Sequence, residues 1–208
     1  MADMFNHMTD TEVEISFDDD GNCYAYTTKD VPAGSPLQIS YGCPTNPSHL
    51  FATYGFLDES APATFCKIMN IESTKELRNI GLDFSRMLFY KDTGEITEEV
   101  WDVILYTVLE DIEDDDRQTQ RAFYQACMNG DVDTKNAIHQ QYFHMTSRVI
   151  QIHVNSFIEE LDQLTEKASK MDINKHPRVP LILEHNQFVK QTFLRVKGNI
   201  DAMVSQVA

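Results

Sequence analysis

The spacing of apolar residues changes along this chain, and that change restricts the fold more than any other feature. Glu12-Val13-Glu14-Ile15-Ser16-Phe17 alternates polar and apolar residues strictly, the pattern of a half-buried strand. From about residue 72 apolar residues recur instead at steps of three and four, the spacing of one helix face. A segment patterned for one of these periods does not bury its apolar side in the other. The chain is therefore expected to be α+β, with a β-rich front third, a helical bundle behind it, and a boundary near residues 58–75.

Within the front third, Asp20-Gly21 suits a two-residue type I′ turn. Pairing about that turn sets Phe17 opposite Tyr24, Ile15 opposite Tyr26 and Val13 opposite Thr28 on one face. The acidic string Ser16-Phe17-Asp18-Asp19-Asp20-Gly21 is a poor calcium loop. With Gly21 at the sixth position, Ser16 stands at the first and Thr27 at the twelfth, where Asp and Glu are needed. Asp30-Val31-Pro32-Ala33-Gly34 reads as a turn and 37–41 as a short strand. After a loop marked by Pro44, Asn46 and Pro47, Ser48 can cap a helix running through Tyr54 and ending at Gly55.

The second pattern begins clearly at Thr97, which can cap a helix with Glu98 and Glu99 in its first turn. Val100, Val103, Ile104, Val108 and Leu109 share its apolar face. Asp114-Asp115-Asp116 breaks the pattern before a second helix ending near Gly130. A long helix is expected over about 131–171, with Ile138, Tyr142, Met145, Val149, Ile152, Phe157, Leu161 and Leu164 on its apolar row. Pro177 and Pro180 punctuate, and a last helix covers about 181–206.

The charge balance narrows the partners. Lys and Arg number 17 against 33 Asp and Glu, a net charge of −16, which repels phosphate backbones and favours a basic protein segment. Nucleic acid is not an expected partner. No secretory leader and no apolar run of spanning length is present, so no membrane association is expected. The four cysteines are widely spaced, without a C-x-x-C pair, and read as reduced. A soluble, intracellular monomer is expected, with cytoplasm, nucleus and plastid all open.

Single motifs say little here. Asn6-His7 near a terminus reads as structural, Tyr41 at a strand end as packing, and Tyr54-Gly55-Phe56 as a helix end with core. His139 and His144 lie on different helical faces, and these two with His153 read as ordinary helix residues, with no metal site. No phosphate loop, nucleophile elbow or H-E-x-x-H pattern occurs. Their joint order is another matter. ADMFNH, a hairpin, DVPAGSPLQISYG and then NPSHLFATYGF resemble, in order and spacing, the C-terminal half of a SET-domain protein methyltransferase. The resemblance is to the Rubisco large-subunit methyltransferase type, whose SET domain is followed by a helical substrate-binding domain. It implies a partial β-rich SET domain over 1–60 and the helical domain over 72–208.

The resemblance implies S-adenosylmethionine as cofactor. It implies that Asn6 holds the methionine moiety, that His7 offers main-chain groups to the adenine, and that Phe56 walls the cofactor pocket. Tyr41 matches the family's catalytic tyrosine. Tyr54 matches an aromatic residue lining the acceptor channel, and Asp3 a position near the acceptor entrance. The implied activity is protein-lysine N-methylation of a protein substrate, with no metal required. The family's preceding half supplies a Gly-x-Gly loop for the cofactor, and none of the eight glycines here forms one. The chain is thus expected to be a fragment that binds the cofactor weakly or not at all alone. Two alternatives accompany this reading: a non-catalytic protein-interaction module, and histidine rather than lysine as acceptor.

Overall fold

The alternating segment does form a hairpin, and the carboxylate of Asp18 decides its register. In the computed structural model, which describes residues 4–42, 47–110, 112 and 117–207, the chain divides into two units, Met1–Ala61 and Pro62–Ala208. The first carries strands β1 (Asn6–His7), β2 (Val13–Phe17), β3 (Cys23–Thr27) and β4 (Gln38–Ile39) and helix α1 (Pro47–Tyr54). The turn between β2 and β3 is wider than the two residues expected. Asp18 N donates to Asn22 O at 3.1 Å and Gly21 N to Asp18 O at 3.0 Å, with Gly21 at φ 79°. The Asp18 carboxylate accepts from Asn22 N (2.8 Å), Asn22 Nδ2 (2.9 Å), the Tyr24 hydroxyl (2.9 Å) and Asp20 N (3.1 Å). These bonds, the Asn22 side chain foremost, hold its carboxyl below the usual range.

That local competition by an Asp side chain corrects the expected register by one residue. Val13 pairs with Thr27, Ile15 with Ala25 and Phe17 with Cys23. Tyr24 and Tyr26 consequently stand on the other face, opposite Ser16 and Glu14, where the Tyr26 hydroxyl donates to Glu14 Oε2 at 2.8 Å. Of the hairpin residues only Val13 is buried. The strand expected over 37–41 shortens to β4, which pairs in parallel with β1. Helix α1 starts at Pro47, ahead of the Ser48 expected as its cap. Proline's fixed φ suits a first helical position.

The second unit holds strands β5 (Ala63–Phe65) and β6 (Leu88–Tyr90) beside helices α2 (Lys75–Ile80), α3 (Glu98–Glu110), α4 (Arg117–Asn129), α5 (Val132–Ser169) and α6 (Val179–Val207). The antiparallel β5–β6 pair corrects the reading of everything after residue 72 as helical. Three-residue strands are too short to show a period. Thr97 opens α3, but its hydroxyl accepts from Leu88 N at 3.0 Å and donates to Arg86 O at 2.8 Å, tying the helix start to β6. The acidic break at Asp114–Asp116 lies outside the described residues.

Helices α5 and α6 are antiparallel. Gln151 meets Asp201, Asp162 meets Lys190 and Thr165 meets Asn186, one partner rising in number as the other falls. Phe89 of β6 meets Phe193 of α6 at 5.1 Å, and Phe193 meets Phe157 of α5 at 4.7 Å. Phe89, Phe123, Phe193, Leu105, Ile150 and Val154 are fully buried. The expected apolar row of α5 is only partly internal. Ile138 and Leu161 are buried, but Met145, Val149, Ile152 and Leu164 are exposed, and Ile150 and Val154 take their place. The reason is a change of neighbour. The first half of α5 meets α3 and α4 through His139, and the second half meets α6. No single stripe serves both.

The loop after β6 sits directly on α6. Asn199 Nδ2 donates to Thr93 O and Gly94 O at 2.9 and 3.0 Å. A Cβ on Gly94, which has φ 71°, would come within 2.9 Å of the Arg195 backbone, so only glycine fits. Buried polar groups tie the bundle elsewhere. Asp102 on α3, 5% exposed, accepts from Lys135 Nζ at 2.6 Å and bonds His139 Nε2 at 2.7 Å. His153 Nε2 donates to Cys66 O at 2.7 Å, while His144 is exposed. His139 and His153 are thus bundle contacts.

Two predictions follow from this unit's construction. Residues 62–208, expressed alone, should give a helical circular dichroism spectrum with a cooperative thermal transition, since the core and the β5–β6 pair are all included. A non-cooperative melt would show that the unit depends on residues before 62. The second concerns pH. Burial, aided by the Lys67 charge and opposed by a hydrogen bond with Asn186, pushes His185 down to about 4 from an ordinary 6.5. The unfolded chain therefore binds this proton first as pH falls, so the His185 contribution is whole above 6.5 and is lost on the way to about 4. Urea midpoints at pH 7 and pH 5 should fall less in His185→Gln than in the parent. An equal fall would contradict the burial of His185.

Candidate functional site

The parallel pairing of β1 with β4 sets Asn6 opposite Gln38 and His7 opposite Ile39. Met8 N donates to Ile39 O at 3.0 Å, Gln38 Nε2 to His7 O at 3.3 Å, and the Thr11 hydroxyl to Gln38 O. Two residues past β4, Tyr41 is held at both ends. Its backbone N–H donates to His7 Nδ1 at 3.1 Å, and its hydroxyl donates to Phe5 O at 2.6 Å. The chain then reaches α1, which stops where Gly55 takes φ 75° and donates to Leu50 O and Phe51 O. This termination sets Tyr54 and Phe56 on either side of a reversal.

The result is a cluster of four rings drawn from three separate stretches of sequence. Tyr41 lies 4.8 Å from Tyr54, 5.3 Å from His7 and 6.4 Å from Phe56 between ring centres. His7 lies 5.6 Å from Phe56, and Tyr54 lies 6.2 Å from Phe56. The side chain of His7 is 5% exposed, whereas Tyr54 is 52% exposed and Asn6 is exposed on β1. His7, Tyr41, Tyr54 and Phe56, each singled out from sequence, are thus brought together, with Asn6 beside His7. Asp3 lies outside the described residues.

Sequence reasoning missed Asp58. Its Oδ2 lies 3.1 Å from His7 Nε2 and accepts from the Thr9 hydroxyl. Its Oδ1 accepts from Ser60 N at 2.9 Å and from the Ser60 hydroxyl at 2.6 Å. Burial raises this carboxyl, but the bonds from Ser60, Thr9 and His7 outweigh burial and hold it below the usual carboxylate range. A single Asp two residues beyond an aromatic carries no period and no spacing signal. Only the adjacency of Asp58 to Phe56 in the chain could have drawn attention to it.

The arrangement can do two things chemically. Ring faces attract a cation that sheds water to reach them. The Tyr41 hydroxyl donates its O–H to Phe5 O, and its oxygen keeps lone pairs that can accept an N–H. Asn6, exposed at the same end of β1, offers an amide that can both donate and accept. The His7 carbonyl accepts from Gln38 Nε2. Among the described residues no group of three His, Cys, Asp or Glu side chains is placed to share a metal ion. No helix among them is long and apolar enough to cross a membrane.

The second unit has a cleft of about 590 Å³ lined by Ile71, Leu77, Ile104, Val149 and Ile152, with Glu72 and Glu110 as its charged side chains. Comparison with family models, with curated proteins and with solved structures found no match to this chain.

Tyr41→Phe should keep the fold and lose one partly buried hydrogen bond, about 1 kcal/mol. Urea unfolding should show a lower midpoint with an unchanged slope. An unchanged midpoint would mean that the bond to Phe5 contributes nothing in solution.

Proposed function

We propose that the front unit carries the methyl-transfer site of an S-adenosylmethionine-dependent protein-lysine N-methyltransferase of the SET type, and that the helical unit helps to hold its protein substrate. The observation that carries this reading is the convergence of Asn6-His7, Tyr41 and Tyr54-Phe56 on one ring cluster. Those are the residues to which the resemblance assigns cofactor and acceptor contacts.

Asn6, His7 and Phe56 would hold the cofactor, which would supply an electrophilic methyl group on a positively charged sulfur. The protein's part is positioning and desolvation. A lysine ammonium, with an ordinary pKa near 10.4, must lose a proton before its nitrogen is nucleophilic. Enclosure of the nitrogen between Tyr41 and Tyr54 would remove the water that stabilises the ammonium, a desolvation that acts against the rings' attraction for the cation and releases the proton to bulk water. The Tyr41 oxygen then accepts an amine N–H and aims the lone pair along the line of transfer. The same geometry serves an imidazole acceptor, so lysine rests on the resemblance alone. The charge pattern supports a basic partner, since Lys29 is the sole Lys or Arg among residues 1–61.

A second reading has an observation of its own. The cleft on the helical unit, apolar with two glutamates, suits a short amphipathic segment carrying a basic residue. A protein-interaction module without catalysis would need that surface alone.

One titration separates the two. In ¹H–¹⁵N spectra, S-adenosylmethionine at millimolar concentration should shift the amides of Asn6, His7, Tyr41 and Phe56, and Asn6→Ala should abolish those shifts. Cofactor shifts that fall elsewhere or survive Asn6→Ala, with a Leu- and Lys-containing amphipathic peptide shifting Ile71, Glu72 and Ile152, would replace the methyltransferase reading with the interaction module.

A further inference from the structure

We propose that Asp58 is a positioning residue that sets the tautomer of His7 and, through it, the placement of Tyr41; its value for methyl transfer rests on the reading above. The argument begins with the two ring nitrogens. Nδ1 of His7 faces the backbone N–H of Tyr41 at 3.1 Å, a group that can only donate. Nδ1 must therefore present its lone pair. The remaining proton of the neutral ring then sits on Nε2, which faces Asp58 Oδ2 at 3.1 Å, a group that only accepts when ionised. One tautomer satisfies both contacts. The other sets N–H against N–H on one side and lone pair against carboxylate on the other.

Asp58 is equipped to hold that end. It is itself fixed by three donors, the Thr9 hydroxyl and the amide and hydroxyl of Ser60, so its Oδ2 cannot swing away without breaking several bonds. The same donors keep it ionised. The chain of contacts thus runs from Ser60 and Thr9 to Asp58, from Asp58 to the His7 ring, and from that ring to the Tyr41 amide. Tyr41 is clamped at its amide by His7 and at its hydroxyl by Phe5, which leaves its ring with a defined place beside Tyr54 and Phe56. Asp58 touches none of the groups to which cofactor or acceptor contacts are assigned, except through His7. It acts at one remove from the reacting atoms.

The test is spectroscopic and needs no turnover. Long-range ¹H–¹⁵N correlation on the full chain reads the two His7 ring nitrogens directly. The parent should show the single Nε2–H tautomer, and amide hydrogen exchange at Tyr41 should be slow. In Asp58→Ala the ring should become a mixture of tautomers and exchange at Tyr41 should speed up by about tenfold or more, with the β2–β3 hairpin amides unchanged. A parent spectrum showing the Nδ1–H tautomer, or averaging between the two, overturns the proposal without any variant, so it stays testable even if Asp58→Ala does not fold. So does a folded Asp58→Ala that keeps both the single tautomer and the Tyr41 protection. Adding S-adenosylmethionine to the same samples distinguishes the two claims. Loss of the tautomer in Asp58→Ala with cofactor shifts in the parent that fall away from Asn6, His7, Tyr41 and Phe56 keeps the positioning role and removes the methyltransferase reading. Cofactor shifts in the parent with an unaltered His7 ring in Asp58→Ala do the reverse.

Discussion

The parallel pairing of Asn6 with Gln38 and His7 with Ile39 is the contact on which the front unit's ring cluster depends, because nothing local joins the stretches it connects. Residues 7 and 41 come together only if the chain crosses back in the same direction, and a parallel pair needs a long connection to do so. The β2–β3 hairpin is that connection. Its own faces are largely exposed, so its contribution is geometric rather than a matter of buried area. Two residues of pairing are a small adhesive, and the unit reinforces them with side chains. Gln38 reaches the His7 carbonyl, Thr11 the Gln38 carbonyl, and the His7 ring the Tyr41 amide.

How much of this could be read from residues alone varied with the source of each signal. Helices α3 and α6 announced themselves because one face of each stays inside, so period and burial coincide. Helix α5 announced its existence but not its inward face, because its neighbours change halfway along. The β2–β3 hairpin was legible as alternation, yet Asp18 overrode the expected turn and moved Tyr24 and Tyr26 across the ribbon. Strands β5 and β6 were too short to be seen. At the site, His7, Tyr41, Tyr54 and Phe56 were found by motif order, which says nothing about distances. Asp58 stayed hidden because its role comes from a fold that returns it to residues 7 and 9.

The two units use polar groups differently. In the helical unit, Asp102 holds Lys135 and His139 inside the bundle, where removing one partner strands the others in a poor solvent. Cys66 and Lys67 are similarly enclosed. Burial pushes the Cys66 thiol up to about 12 and the Lys67 ammonium down to about 8, and neither direction favours the charged form. In the front unit, polar bonds are nearer the surface and orient rings that would otherwise rotate freely. The first arrangement encloses charge within a core, and the second fixes the orientation of a half-exposed ring cluster.

The seat of the Thr93–Gly94 loop on α6 bears on the order in which the helical unit can assemble. Asn186 and Thr165 are only 21 residues apart, so α5 and α6 can zip together from their connecting turn at small cost in chain entropy. Asn199 and Thr93 are 106 residues apart, and their contact closes a loop that encloses α3, α4 and α5. Each element within that loop gains nothing from the closure until it is itself in place. Loop-closure entropy therefore favours the α5–α6 pairing over the Thr93–Asn199 contact as an early event. A Cβ on the glycine at that contact would meet both the side chain and the backbone of Arg195, so the loop can seat on α6 only with glycine there.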